Sequence, residues 1–573
     1  MHTIKTWMKD TISFCRQNQS LCTAIFLMVY VLHGKHAFTT NSLYDTDDVI
    51  YFPGSVLNWL EIGRQGNAFT KKVFGLMWFN PYFAGALCLV LFPAVVILLC
   101  RMFRQAGIGK NRLSLWVFAM AFIASPVWVY QFYFTMQWFE IVWALFLVVF
   151  TAALFQMMFS VDGWYRKGKR CKPGLCKPGL FVLETLLLVW AFASYQAFVP
   201  LFLALCAGVY LIRLSSSAGR FAAGEELRRL AWMAGVFLAA FVCNTVVTNR
   251  FFMPDDYLTG QVVWGVRETK EILRCLAVYF VKSHLGLGVQ YSWLMGVGAV
   301  FAALLVLRVL FFEKKAWMHK VLYAASVAVV WAAAHMLTVY VGTETVIRSQ
   351  LAYPFVMAFL LMFVLEQTGR EQADTDVSLK KQGMNADIDA GLKKQGMQAD
   401  TCSSLKKQGM QADTCSSLKK RCMCLALAFA SAAGIWGQLG DTFRLWYTED
   451  MKDKMDMAVV QKVISQVDRL GLGTQPQLPV VFVGDYSPQV NRACFDTDAD
   501  LSIGVSCWER VNEQPNRLVR MIENHFGVCW QRADWESIVH AREISRDMPS
   551  YPDEGYVQVR DGVIIIKMSD NYG

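Results

Sequence analysis

The chain has 573 residues, of which 55% are hydrophobic and only 17% charged, with a formal net charge of +10. Soluble chains carry about 25% charged residues, so this composition excludes an ordinary soluble enzyme. The positive excess gathers in loops beside apolar runs, where it suits anionic lipid, and it is not read as a nucleic-acid patch.

Crossing a bilayer takes roughly 17–25 apolar residues. Such runs fall near 19–34, 76–100, 114–134, 136–159, 180–195, 197–214, 230–248, 289–311, 321–341, 351–366 and 422–440. The expected fold class is therefore mainly α, a polytopic transmembrane protein of about eleven spans. The first run is not a signal peptide, because His33-Gly34-Lys35-His36 follows where small cleavage-site residues belong. Lys and Arg set the orientation. With the N-terminus in the cytoplasm, the loops on that side carry 31 of them against 10 in the outer loops. This puts 35–75, 249–290, 341–350 and the chain after Gly440 outside the cytoplasm.

Taken in chain order, the first outer loop contains "SLYDTDDVIYFPGSVLNWLEIGRQG" (42–66), with Asp45, Asp47 and Asp48 close together. A capped helix and a solvated turn would account for the acids alone. Tyr51, Phe52, Trp59 and Arg64 follow them in an amphipathic stretch, however, which gives the loop the equipment for a sugar on a lipid phosphate. A carboxylate can deprotonate a hydroxyl, arginine can clamp phosphate oxygens, and an aromatic face can pack on a sugar ring. Glu140, near the outer end of its span, is a costly place for a carboxylate unless it faces a polar site. Glu184 and His335 read as structural. The loop 249–290 holds "RETKEILRCLAVYFVKSHLG", a helix expected to lie along the membrane surface. Arg348 stands in the outward loop "VGTETVIRSQ".

Between 378 and 420 a polar, basic unit recurs with a period of 13, at Leu379, Leu392, Leu405 and Leu418. It reads as a cytoplasmic linker, 367–421, grown by tandem duplication. The membrane domain is thus 1–440, and 441–573 is expected to be a small extracytoplasmic α/β domain. There, "MDMAVVQKVISQVDRL" (455–470) has helical periodicity, "LPVVFVGD" (478–485) reads as a buried strand, and "YVQVRDGVIIIKM" (556–568) as a hairpin turning at Asp561-Gly562. Cys494, Cys507 and Cys529 are compatible with one disulfide of unspecified pairing. The 16 cysteines have no metal-site spacing. No cofactor motif stands out, and a divalent cation is left open.

The first outer loop resembles that of bacterial GtrII-type, serotype-converting glucosyltransferases, on Tyr44, Asp47, Asp48, Trp59, Gly63 and Arg64. "FNPYFAGALCLVLF" (79–92) opens the second span in the same manner, and "SYQAF" (194–198) supplies a matching Tyr195-Gln196 pair. The resemblance implies a GT-C architecture and transfer of a sugar, glucose first of all, from a polyprenyl-phosphate carrier to a surface polysaccharide such as O-antigen. On that reading Asp47 or Asp48 is the base, and Tyr44, Trp59, Arg64, Glu140, Tyr195, Gln196 and Arg348 bind substrate. Partners would be the lipid-linked donor, the glycan acceptor, membrane lipids, and proteins that make and flip the donor. A lipid-linked glycan transporter and a non-catalytic assembly protein are the competing classes. A transporter should show repeat symmetry and ionisable groups near the midplane, and neither is evident.

Overall fold

The computed structural model describes residues 2–39, 50, 53–109, 111–159, 176–216, 223–252, 260–370, 403–473, 476–486, 508–509, 511–512 and 515–571. The described residues are mainly helical, with one small sheet near the C-terminus. Among the described residues, seven helices are long and apolar enough to cross a membrane: Pro81–Ala106, Trp138–Met157, Phe198–Ser216, Gly224–Phe252, Leu294–Phe311, Ala352–Arg370 and Arg421–Arg469. Four shorter apolar helices, Gln19–His33, Leu113–Ala124, Pro178–Ser194 and Trp317–Ala333, occupy the other expected positions. Among the described residues, seven of the eleven expected runs thus meet the length requirement. The run expected over 114–134 illustrates the reason. Its helix stops at Ala124, and Ser125, preceding Pro126, is extended at φ −61°, ψ 126°, because the proline ring clashes with a helical predecessor. Twelve residues rise only about 18 Å.

The chain divides into two compact units, one of Met1–Leu32, Leu89–Trp128 and Ile141–Gly440, the other of His33–Cys88, Val129–Glu140 and Asp441–Gly573. In the first, the Ala352–Arg370 helix is buried along nearly its whole length. Phe103, Phe118, Phe355 and Phe359 pack ring against ring around it. Small residues permit the close crossings: a Cβ on Gly208 would meet Phe359 at 2.8 Å, and one on Gly434 would meet Leu294 at 2.4 Å. The buried Glu366 carboxylate accepts from the backbone N–H of Gly109 and Asn111 and from the Ser114 hydroxyl, and pairs with Arg370. The helix expected within 267–286 is present as Thr269–Leu285.

In the second unit the sheet has the order β2-β1-β4-β3, from β1 (Pro479–Val483), β2 (Gln531–Arg532), β3 (Val557–Arg560) and β4 (Val563–Lys567). β1 is parallel to β2 and β4, and β3 is antiparallel to β4. Both faces of the central strands are covered, which is why β1 and β4 are continuous apolar runs and not alternating ones. Val480, Phe482, Ile564 and Ile566 pack under Val460, Val463, Leu518, Ile522 and Trp508. Val481, Val483, Val563 and Ile565 pack under Ile538 and Ala541 of the Trp535–Ile544 helix. Asp561 (φ 46°) and Gly562 (φ 75°) both take positive φ at the β3–β4 turn, as a two-residue hairpin requires.

One helix runs unbroken from Ser403 to Arg469. It starts inside the duplicated segment expected to be linker and contains the helix expected to begin near 455. The 13-residue copies are rich in Lys, Gln, Ala and Met, which favour helix, and hold one or two glycines each.

Candidate active site

Tyr44, Asp47 and Asp48 lie outside the described residues, so the site is built from Pro53 onward within the second unit. Pro53–Leu60 is a 3₁₀ helix carrying Trp59. It closes in a tight turn: Gly63 N–H donates to Leu60 O at 3.1 Å, and Arg64 N–H to Trp59 O at 2.8 Å. Gly63 sits at φ 70°, a conformation that costs a side-chain-bearing residue about 1–2 kcal/mol. The Gly-Arg pair therefore has a local reason: glycine reverses the chain and arginine starts the Gln65–Phe74 helix. Arg64 is half-buried, and its Nη1 donates to Gln137 Oε1 at 3.3 Å.

That helix lies along the segment leading into the Trp138 helix. Val56, Ala68 and Met136 form one apolar cluster, with Trp59 packed against it, and the Phe74 and Phe139 rings meet at 4.9 Å. Between these contacts Lys71 Nζ reaches Glu140 Oε1 at 3.0 Å. It also stands 5.5 Å from the centre of the Trp59 ring, within cation–π range. Glu140 is only 1% exposed and Lys71 6%. Two charges at this depth are tolerable only as a pair, since either alone would keep its desolvation cost. Asn67, one helical turn before Lys71 and on the same face, is fully buried. Among the described residues, neither its amide oxygen nor its nitrogen has a hydrogen-bond partner. Such a group ordinarily costs 1–3 kcal/mol.

The same unit holds a second polar group. Lys35 pairs with Asp450. The His36 ring stacks on Trp446 at 4.0 Å, meets Trp138 edge-on at 5.9 Å, and binds Phe132 O through Nε2 at 3.1 Å. Burial pushes the His36 imidazole down to about 4, with Asp450 opposing the shift. The helix carrying Trp446 is apolar only up to Gly440. Beyond that point, burial together with Asp456, Asp450 and Glu449 raises the Asp453 carboxyl to about 6.

Tyr195, Gln196 and Arg348 belong to the first unit. Tyr195 O and Gln196 O accept from Phe198 and Val199 N–H, starting the Phe198–Ser216 helix. Arg348 is half-buried in the Ile347–Ser349 turn. Its loop is tied down by Glu344, which accepts from the Tyr291 hydroxyl at 2.8 Å and lies 3.5 Å from Lys282 Nζ, and by Gln350, which donates to Thr345 O at 3.0 Å. The structure thus brings Trp59, Arg64 and Glu140 into one neighbourhood and leaves Tyr195, Gln196 and Arg348 in the other unit. Glu184 accepts from Trp232 Nε1 at 2.9 Å, a structural bond, and His335 Nδ1 lies 3.0 Å from the Tyr279 hydroxyl. Of the described cysteines in the C-terminal part, Cys529 is exposed beside Glu523, while Cys494 and Cys507 lie outside the described residues. Among the described residues no three His, Cys, Asp or Glu side chains are grouped to hold a metal ion.

Lys71 and Asn67 were not singled out from the sequence, although the signal was present. In "QGNAFTKKVF" the helical period puts Asn67, Lys71 and Phe74 on one face and Lys72 on another, and Lys72 is indeed exposed.

Long apolar helices, together with a loop-rich unit that holds a buried ion pair, an arginine and an aromatic ring, define a helical membrane protein with a polar site. The chain belongs to the glucosyl transferase GtrII family, which matches residues 36–365. It is accordingly a glycosyltransferase. No curated protein and no solved structure matches it.

Proposed function

We propose that the protein moves a glucosyl group from a polyprenyl-phosphate carrier to a surface polysaccharide, such as O-antigen, on the outer face of the cytoplasmic membrane. The observation that carries this reading is the family match over residues 36–365, which spans both the acid loop and the buried Lys71–Glu140 pair. Nucleotide sugars are cytoplasmic, so a transferase working outside needs a sugar brought across on lipid. In this reading Asp47 or Asp48 takes the proton from an acceptor hydroxyl. The freed oxygen attacks the anomeric carbon, the bond from that carbon to the phosphate oxygen breaks, and the lipid phosphate leaves with the electron pair. Arg64 and Arg348 are assigned to the departing phosphate, whose charge grows along the reaction. Trp59 is assigned to the sugar face, and Tyr44, Tyr195 and Gln196 to the substrate.

The test is mass analysis of surface glycan from cells with and without the gene, and with Asp47→Asn or Asp48→Asn. Wild type should add one hexose per repeat, and one of the two variants should lower that addition at least 100-fold, the scale of general-base catalysis. No added mass with wild type would overturn the transfer reading. Full addition by both variants would remove the acid pair from the chemistry.

A further inference from the structure

Among the described residues, the loop-rich unit holds more buried polarity than its own contacts use. Asn67 is fully buried with both amide atoms unpartnered among the described residues. One turn on, Lys71 binds Glu140 at 3.0 Å, and among the described residues neither carboxylate oxygen of Glu140 has a hydrogen bond of good geometry besides that ion pair. Trp59 borders the pair. Folded proteins rarely leave such groups empty, and a bound polar ligand is one way to satisfy them. The chemistry of the ligand follows from the charges. Lys71 is already neutralised by a carboxylate, so a phosphate arriving here would have to compete with Glu140 for it, in a place where an unmatched charge is costly. Among the described residues, the groups left without a partner are a carboxylate oxygen, an amide oxygen and an amide N–H₂, a mixture of acceptors and donors on neutral ground beside an aromatic ring. Sugar hydroxyls both donate and accept, and a pyranose offers an apolar face to an indole.

We infer that Asn67, Lys71 and Glu140 form a subsite for the hydroxyls of a neutral hexosyl group, with Lys71 holding the Glu140 carboxylate in place and not serving as a phosphate clamp. The inference rests on the transfer reading above and deepens it. It assigns discrimination among hexoses to a face of the Gln65–Phe74 helix, away from the acid pair. A site that hydrogen-bonds a particular hydroxyl rejects an epimer strongly, because its buried polar atoms are then left unpaired.

The experiment uses membranes from cells making the full chain, with polyprenyl-phosphate-[14C]glucose and its galactose epimer as alternative donors, and counts label moved into endogenous glycan. Asn67→Leu keeps the volume and removes both unpartnered atoms. It should accumulate normally and unfold at the wild-type temperature or above, since it deletes groups that cost stability in the unliganded protein. It should nevertheless transfer glucose at least tenfold less efficiently and lose preference between the epimers. Replacing the pair together, Lys71→Met with Glu140→Met, leaves no lone charge and should give the same loss of preference. A structural or water-bridged Asn67 would show the opposite pattern: a lower unfolding temperature or loss of the protein, with the epimer ratio unchanged in what survives. Either result overturns the subsite. Wild-type membranes that move neither hexose would overturn the lipid-donor reading itself, whereas a discriminating wild type matched by both variants would overturn the subsite alone.

Discussion

His36 is a single side chain whose environment gives a measurable pH dependence. It is buried, stacked on Trp446 and held to Phe132 O, and burial lowers its pKa from 6.5 to about 4. Between those values the unfolded imidazole carries a proton that the folded one does not. The unfolded state therefore binds more protons there, and stability falls as pH is lowered through this window. Asp453 acts with the opposite sign. Its carboxyl is raised from 3.8 to about 6, so the folded state gains protons, and stability, as pH falls over nearly the same range. The two contributions offset each other in the wild type, and a substitution separates them. His36→Phe keeps a stacking ring and removes the titration. In thermal unfolding it should gain on wild type steadily from pH 7 to pH 4.5, and a constant difference across that range would show that His36 is not buried as a neutral base. Residues of this kind are poorly legible in a sequence. Glu140 stood out because an acid at a span end is rare, yet its partner Lys71 was one of several loop lysines until the helix face was known. What makes Lys71 special is depth, which comes from the packing of its helix, through Ala68 on Met136 and Phe74 on Phe139.

At the scale of elements, legibility followed local periodicity and failed where packing or a break decided. β1, the β3–β4 hairpin and its Asp561-Gly562 turn were readable from the sequence because apolar runs and turn chemistry are local signals. β2 was not, since two residues, Gln531 and Arg532, carry no alternation and form a strand only by pairing with Pro479 and Val480. The run over 114–134 read as one span because hydropathy averages across Ser125-Pro126, while the backbone does not. The long Ser403–Arg469 helix depends on a crossing that sequence cannot display, Gly434 against Leu294. An alanine Cβ there would sit 2.4 Å from Leu294 Cγ, so Gly434→Ala should destabilise by about 1–3 kcal/mol through overpacking, despite alanine's better helix propensity. Leu294→Ala in the same chain should recover part of that loss, with a coupling energy of about 0.5–3 kcal/mol in a double-mutant cycle. Additive losses would mean that the two side chains do not meet.

For the whole molecule, the open physical question is which side of the membrane each polar segment faces, because the proposed donor is available to the acid loop only from outside. The basic residues argue for one answer. Holding the loops that include 366–421 in the cytoplasm places 31 Lys and Arg there against 10 in the outer loops, and moving that many cations across a bilayer is what the insertion machinery resists. The C-terminal sheet gives the orientation a reporter. Cys529, two residues before β2, is exposed, and Cys402 and Cys415 lie in the duplicated segment. In chains reduced to one cysteine, a maleimide that cannot cross membranes should label Cys529 in intact spheroplasts and leave Cys402 and Cys415 untouched until the membrane is opened. The comparison is internal, since opening the membrane supplies the full-label reference for each position. If Cys402 or Cys415 reacts in intact cells at the rate seen after opening, the orientation is reversed. Asp47 and Asp48 would then face the cytoplasm, nucleotide sugars would become accessible donors, and the case for a lipid-carried glucosyl group would lose its physical necessity.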